Sequence, residues 1–164
     1  MRKDFDFYPT PITIVNEVIK RWEIPDSKVW EPCAGDGRFA RSLTEIGCDV
    51  VSTDIIHHQD FFSYSSALAP VVITNPPFSN IRKFIGHAFN IGVEKMALVC
   101  PERLWACKKG RDQFTQHKPT RWANMDWRED YLQKGGSPDR ALAVAIWDMP
   151  NSPVCSYEIW NRSD

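Results

Sequence analysis

The tetrapeptide Asn75-Pro76-Pro77-Phe78 combines an amide side chain, two rigid prolines and an aromatic ring. An amino group on an aromatic ring is a poor nucleophile, because its lone pair is delocalised into the ring. Acceptors for both N–H hydrogens let that nitrogen pyramidalise, and the Asn75 carboxamide oxygen and the Pro76 carbonyl can supply them. The prolines fix the backbone in advance, and Phe78 offers a ring on which a flipped base can stack. These residue types are therefore suited to chemistry at an exocyclic amino nitrogen.

A second segment that could hold a ligand runs from 31 to 40. Gly35 and Gly37 permit a tight turn and a close approach of the backbone to a ligand. With Ala40 they fit the dinucleotide-binding pattern G-x-G-x-x-G/A, and Asp54 follows at about the spacing of the acidic residue that binds a ribose. The pattern alone is compatible with NAD and with other nucleoside cofactors.

Charge separates these cofactors. Glu31 and Asp36 flank the glycines, and two carboxylates would repel a pyrophosphate, which needs bare backbone N–H groups and a helix dipole. They suit a ligand that carries a sulfonium and an ammonium group. Asp54 is placed to accept hydrogen bonds from ribose hydroxyls in either case. The sequence therefore favours a cationic nucleoside cofactor.

The segment Glu31-Pro32-Cys33-Ala34-Gly35-Asp36-Gly37 resembles motif I of class I S-adenosylmethionine-dependent methyltransferases. The resemblance implies that this turn wraps the methionine portion of the cofactor and that the acid after the second strand binds the ribose. Asp60-Phe61 resembles the element that contacts the adenine, and Phe7 to Pro11 is similar to motif X, which closes over the methionine end. The residues assigned to the cofactor are Tyr8, Thr10, Glu31, Pro32, Cys33, Ala34, Gly35, Asp36, Gly37, Asp54, Ile55, Asp60, Phe61 and Asn75.

Asn75 to Phe78 resembles motif IV, [DNS]-P-P-[FYW], of the amino-methyltransferases, here in its NPPF form. This resemblance implies that Asn75, Pro76, Pro77 and Phe78 are the catalytic residues. The segments 121–128 and 139–148 resemble the closing hairpin of phage-type DNA adenine-N6 methyltransferases, so the resemblance covers nearly the whole chain. Cytosine C5 methylation would need a Pro-Cys nucleophile at this place, and none is present. DNA-specific relatives usually carry an added target-recognition domain, and no segment here is long enough to be one.

A basic stretch between 102 and 121 could hold a polymer. Phosphates favour such a local patch, and aromatic side chains within it could stack bases. The same stretch also fits a solvated helix with two core-facing aromatics, and Lys28, Arg82 and Lys83 could extend the patch. The predicted substrate-binding residues are Arg103, Trp105, Lys108, Lys109 and Arg111.

Hydrophobic periodicity indicates the elements that must position these residues. Short β-branched runs bounded by turn residues predict strands at 28–34, 49–55, 70–75 and 95–101, and amphipathic patterns predict helices at 13–22, 38–46 and 81–91. This alternation predicts an α/β, Rossmann-like, doubly wound and mostly parallel sheet of about seven strands. Strands at 120–128, 141–148 and 154–160 are expected to form an antiparallel C-terminal edge. Ligands of such sheets bind at the carboxyl ends of the strands.

Length and composition bound the function. The 164 residues predict a single domain over 1–164, and the resemblance implies that it is a methyltransferase catalytic domain. The net charge of -1 leaves any basic surface local. Five widely spaced cysteines indicate neither a zinc site nor a disulfide framework, and no signal peptide or membrane segment is recognised, so a reduced, cytoplasmic setting is expected.

We therefore predict an S-adenosylmethionine-dependent methyltransferase acting without a metal on an exocyclic amino nitrogen, with adenine N6 in DNA as the first choice. Adenine N6 or guanine N2 in RNA, or a protein glutamine amide, remain alternatives because they use similar motifs. More distant alternatives are an NAD-binding oxidoreductase and a non-catalytic methyltransferase-like subunit. The sequence does not indicate the recognition site, the oligomeric state or a partner subunit.

Overall fold

A computed structural model describes residues 9–128, 141–149 and 152–162. These residues form a seven-stranded sheet with helices between the strands. The helices are α1 (Ile12–Arg21), α2 (Arg38–Glu45), α3 (Ile81–Asn90) and α4 (Lys108–Gln116). The strands are β1 (Val29–Glu31), β2 (Val50–Ser52), β3 (Val71–Thr74), β4 (Lys95–Pro101), β5 (Arg121–Met125), β6 (Leu142–Trp147) and β7 (Ser156–Trp160).

The strand order is β2-β1-β3-β4-β6-β5-β7. The first four strands pair in parallel, and β6 is antiparallel to both of its neighbours, β4 and β5. This confirms the predicted Rossmann-like sheet, mostly parallel with antiparallel pairing at its C-terminal end. The expectation of antiparallel pairing is wrong for the outermost strand, β7, which pairs in parallel with β5. It does so because β4 and β5 already flank β6, so the returning chain adds to the free side of β5.

Both faces of the sheet are covered, as a parallel sheet requires. On one face, α1 buries Ile14, Val15 and Val18 in a core that also includes Phe39 of α2. On the other face, α3 contributes Phe84 and its apolar neighbours to a second core. The predicted helices are thus confirmed to within a residue or two at their ends. Among the described residues, no helix is long and apolar enough to cross a membrane.

The order of strands reverses beside β1, which lies between β2 and β3. Open α/β sheets bind ligands outside the carboxyl ends of the strands at such a switch point. Pairing continues past β1, since the Thr53 N–H donates to the Glu31 carbonyl at 2.9 Å and the Ala34 N–H to the Thr53 carbonyl at 3.1 Å. The predicted motifs at 31–37, 54–55 and 75–78 therefore converge on one crevice.

Two glycines test the backbone energetics of α3. A Cβ added at Gly86, inside the helix, or at Gly92, just beyond it, would meet no atom within 4 Å. Only Gly92 has a left-handed backbone, with φ +91°. We predict that Gly86→Ala raises the free energy of unfolding by about 0.5–1 kcal/mol, and that Gly92→Ala lowers it by about 1–2 kcal/mol. Urea unfolding checks both predictions, and equal effects of the two substitutions would contradict the left-handed backbone conformation of Gly92.

Candidate functional site

A cavity of about 520 Å³ opens at the carboxyl ends of β1, β2 and β3. Its volume is in the ordinary range for small-molecule sites. The predicted catalytic tetrapeptide lines it, together with almost all of the predicted cofactor residues. Those residues are Thr10, Glu31, Pro32, Cys33, Ala34, Gly35, Asp36, Asp54, Ile55, Asp60, Phe61 and Asn75. Gly37 follows the wall residue Asp36 in the chain but does not itself line the cavity, and Tyr8 lies outside the described residues.

The Glu31 carboxyl group is the most buried acid of this wall, with 1% of the residue exposed. Its Oε1 accepts hydrogen bonds from the Thr74 hydroxyl and, at 3.3 Å, from the Cys33 N–H. Burial raises its pKa to about 8, and the nearby Asp54 charge adds to the rise against these two hydrogen bonds. Among the described residues, no cationic side chain forms an ion pair with Glu31. A cation in the cavity would restore the ionised form.

Asp54 ties the second strand to the glycine turn. Its Oδ2 accepts from the Gly35 N–H at 2.7 Å, and its Oδ1 accepts from the Ile56 N–H at 2.9 Å. The second bond caps a short 3-10 turn, Ile55–His57. A carboxylate has roughly four acceptor positions, so Asp54 can hold the turn and still receive ligand hydroxyls.

Most backbone N–H groups of the glycine turn already donate hydrogen bonds within the protein. A pyrophosphate site needs several of these groups pointing at the ligand. Here five of them donate to the protein itself, so the turn is poorly suited to a pyrophosphate. The donors are Cys33, Ala34, Gly35, Gly37 and Arg38, and their acceptors are the Glu31 side chain, the Thr53 carbonyl, the Asp54 side chain, the Ala34 carbonyl and the Asp36 side chain.

The second predicted carboxylate, Asp36, is paired within the protein. The Arg38 Nε donates to both of its oxygens at 3.0 Å, and this interaction lowers the pKa of Asp36. Arg38 also donates from Nη1 to the Thr10 carbonyl at 2.6 Å, which fixes the N-terminal segment against the turn. The cofactor argument from charge therefore depends on Glu31 more than on Asp36.

The residues around Asp60 close another side of the cavity. The Asp60 Oδ1 accepts from the Phe62 N–H at 3.0 Å and caps the 3-10 turn Phe61–Ser63. The Phe61 ring, 4% exposed, stacks on Phe84 with ring centroids 4.0 Å apart. Phe61 thus belongs mainly to the core, whereas Phe62, which also lines this wall, is only half-buried.

The predicted catalytic tetrapeptide joins β3 to α3. Asn75 directly follows the buried Thr74, and the Asn80 N–H donates to the Pro77 carbonyl at 3.1 Å just before α3 begins. Phe78 packs against both cores at their margin. The segment is therefore held at both ends by secondary structure, and its four residues line the cavity.

The predicted substrate-binding residues lie away from this cavity. Arg103, Lys108, Lys109 and Arg111 are exposed on and before α4, and none of them lines the cavity. Trp105 packs against Phe114 and Trp122, with ring centroids 5.4 and 5.5 Å apart. Of the two interpretations of this stretch, the helix with core-facing aromatics describes Trp105. Lys28 lies at the opposite, amino end of β1, in a separate depression.

Several wall residues were not identified from the sequence. The opposite charges two residues apart in Asp36 and Arg38 could have indicated a pair, whereas nothing marked Thr74 as a partner for Glu31. The remaining additions are Phe39, Ile56, Phe62, Ser79, Asn80 and Phe84, while Pro9 belongs to the predicted motif X segment. Among the described residues there is no group of acidic, His and Cys side chains that could hold a metal ion.

No known family profile matches the chain, and no curated protein matches it. Solved structures do. A candidate RNA methyltransferase from Pyrococcus horikoshii matches with a TM-score of 0.62 at 15% identity, over 89% of this chain and 88% of that one. A candidate class I S-adenosylmethionine-dependent methyltransferase from Listeria monocytogenes matches at 0.64 and 13%, over 100% and 68%.

A type I restriction-modification methyltransferase subunit from Streptococcus thermophilus matches with a TM-score of 0.61 at 12% identity, over 93% of this chain. The chain spans 47% of the length of that subunit. These likenesses establish the fold. The chain has the Rossmann-like fold of class I methyltransferases.

The raised pKa of Glu31 predicts a pH-dependent stability. The folded state holds its proton up to about pH 8, whereas the unfolded state loses it near the ordinary value of 4.5. The folded state thus binds more protons between these values, so stability present below pH 4.5 is lost as the pH rises to about 8. We predict that Glu31→Gln removes this loss. Urea unfolding from pH 5 to 9 checks it, and parallel curves for the two proteins would contradict it.

Proposed function

We propose that this protein is an S-adenosylmethionine-dependent methyltransferase that acts on an exocyclic amino nitrogen. The observation that carries the proposal is the buried Glu31 carboxyl group, without an ion-pair partner among the described residues, in the same cavity as Asn75-Pro76-Pro77-Phe78. A cationic cofactor would compensate the negative charge of the buried Glu31 carboxylate, and the tetrapeptide would orient an amine beside that cofactor. Fold likeness to methyltransferase structures supports the same conclusion.

The cavity residues fit the parts of this cofactor. Glu31 would attract the positively charged methionine end, Asp54 would accept from the ribose hydroxyls, and Asp60 would face the adenine. Arg38 holds the N-terminal segment over the glycine turn, which would exclude water from the methionine end. When bound, S-adenosylmethionine would supply the methyl group: the carbon–sulfur bond would break as the carbon–nitrogen bond forms, which leaves a neutral thioether, and the methylated amine would lose one of its two protons to solvent.

The chain's own residues would prepare the amine. The Asn75 carboxamide oxygen and the Pro76 carbonyl would each accept an N–H of the amino group, which frees the lone pair for attack. Pro76 and Pro77 hold that carbonyl in place before the substrate arrives. Phe78 would stack against the ring that carries the amine. The preorganised acceptors are the main catalytic contribution.

Adenine N6 in DNA is the substrate we favour, because adenine fits both the amine chemistry and a stacking ring at Phe78. Adenine N6 or guanine N2 in RNA, and a glutamine amide in a protein, are the alternatives. The structural neighbours include a candidate RNA methyltransferase and a subunit of a DNA modification system. We further propose one catalytic domain over 1–164 in a cytoplasmic protein. Most N–H groups of the glycine turn are already hydrogen-bonded within the protein and are not free for a pyrophosphate, which counts against NAD.

Product analysis tests the proposal. The protein is incubated with methyl-labelled cofactor and, separately, single-stranded DNA, duplex DNA, RNA and protein, and the hydrolysates are examined by mass spectrometry. Labelled N6-methyladenine from DNA is the expected result. N6-methyladenine or N2-methylguanine from RNA, or methylglutamine from protein, would move the substrate to that alternative. No label in any product, with cofactor bound, would support the non-catalytic subunit.

The catalytic role of Asn75 has its own test. We predict that Asn75→Ala lowers kcat roughly 100-fold or more, since removal of one preorganised polar group at a transition state typically has this effect. The cofactor Kd should change by less than about threefold. Asn16→Ala, at an exposed position of α1, is the matched control and should keep full activity. Equal activity of the two variants would remove Asn75 from the mechanism.

A further inference from the structure

A groove of about 430 Å³ runs between α3 and α4, outside the cavity described above. Residues 82, 83 and 86 of α3 line it with residues 109 and 113 of α4, so one face of each helix forms a wall. Hydrogen bonds hold α3 against α4 and against the segment that precedes α4. The Gln113 Nε2 donates to the Arg82 carbonyl at 2.6 Å, and the Arg82 Nη2 donates to the carbonyl of Leu104, before α4, at 2.6 Å. The groove is thus a fixed feature of the packing.

Positive charge dominates this groove. Arg82, Lys83 and Lys109 line it, and the acid at its edge, Asp112, is paired with Arg111 at 3.0 Å. Burial lowers the pKa of His117 at the far end, which favours its neutral form. The protein as a whole carries a net charge of -1, so this concentration of cations is local.

The groove adjoins the methyl-transfer cavity. The Lys83 ammonium lies 4.2 Å from the centre of the Phe62 ring, and Phe62 is part of the cavity wall. The chain passes from Phe78 at the cavity to Arg82 at the groove in four residues, and α3 begins between them at Ile81. A polymer that places one base in the cavity would therefore carry its backbone past Lys83.

Gly86 lines the groove on its α3 side. It has no side chain, and a Cβ at this position would meet nothing within 4 Å. Backbone atoms of a ligand can therefore approach α3 between Lys83 and Lys109. Glycine inside a helix is unfavourable by about 0.5–1 kcal/mol relative to alanine. Its lack of a side chain leaves the groove open at this position.

We propose that this groove binds the phosphodiester backbone of a single-stranded nucleic acid next to the base held in the cavity. The proposal rests on the proposed function and makes it more specific. It selects Lys109, on the groove face of α4, from the basic stretch of that helix, and Arg82 and Lys83 from the residues expected to extend the patch. An acidic peptide is the competing ligand. Nucleic acid is favoured because the adjoining cavity offers aromatic and amide groups suited to a base.

A matched pair of substitutions tests the groove without deleting a contact. Gly86→Glu and Gly86→Gln place side chains of nearly equal size in it and differ in charge. Binding of a fluorescent single-stranded oligonucleotide is followed by anisotropy between 50 and 500 mM salt. We expect Gly86→Glu to bind roughly tenfold more weakly than Gly86→Gln at the lowest salt, with the difference shrinking as salt rises. Lys109→Gln should reduce the salt slope by about 0.7.

The distant Lys28→Gln is the charge-matched control and should leave binding unchanged, because Lys28 lies at the amino end of β1. Equal affinities of the two Gly86 variants would overturn the proposal. So would binding of poly-glutamate with the same affinity and the same loss in Gly86→Glu. Cofactor binding is titrated in the same samples. If the wild-type protein fails to bind the cofactor, the proposed function fails, while the anisotropy still reports on the groove independently.

Discussion

Burial of the Glu31 carboxyl group at the end of β1 is the constraint on which the site depends. A carboxylate there is costly in a dry environment, and the fold reduces the cost with the Thr74 hydroxyl and the Cys33 N–H instead of a cationic side chain. The raised pKa shows that these bonds do not fully compensate the burial. The site is therefore electrostatically incomplete in a way that a bound cation can correct.

The neighbouring acids have other tasks. Asp54 joins the glycine turn to the 3-10 turn after β2, and Asp36 is held by Arg38, which also reaches the N-terminal segment. These two acids accept from the Gly35 and Arg38 N–H groups, and other N–H groups of the turn donate elsewhere within the protein. The turn therefore lacks the free N–H groups that a pyrophosphate requires. The same contacts that build the turn thus determine the class of ligand it can hold.

Much of this arrangement could be predicted from the sequence, because periodicity and turn residues report on local structure. The strands and the three predicted helices lie where expected, and their order brings the motifs to one crevice. The predicted strand 49–55 ends at Ser52, since the Asp54 side chain captures two N–H groups and turns the chain. The Glu31–Thr74 contact and the parallel pairing of β7 could not be predicted, because each depends on residues far apart in the sequence. The orientation of Trp105 is likewise set by Trp122, a residue of another strand.

The most direct test of this account is the proton balance of cofactor binding. S-adenosylmethionine is titrated calorimetrically into the protein at pH 7 in two buffers that differ in ionisation enthalpy. Because Glu31 is protonated at this pH before binding, about one proton should be released to the buffer by the wild-type protein and almost none by Glu31→Gln. Binding with no proton release, or equal release by both proteins, would contradict the role of Glu31.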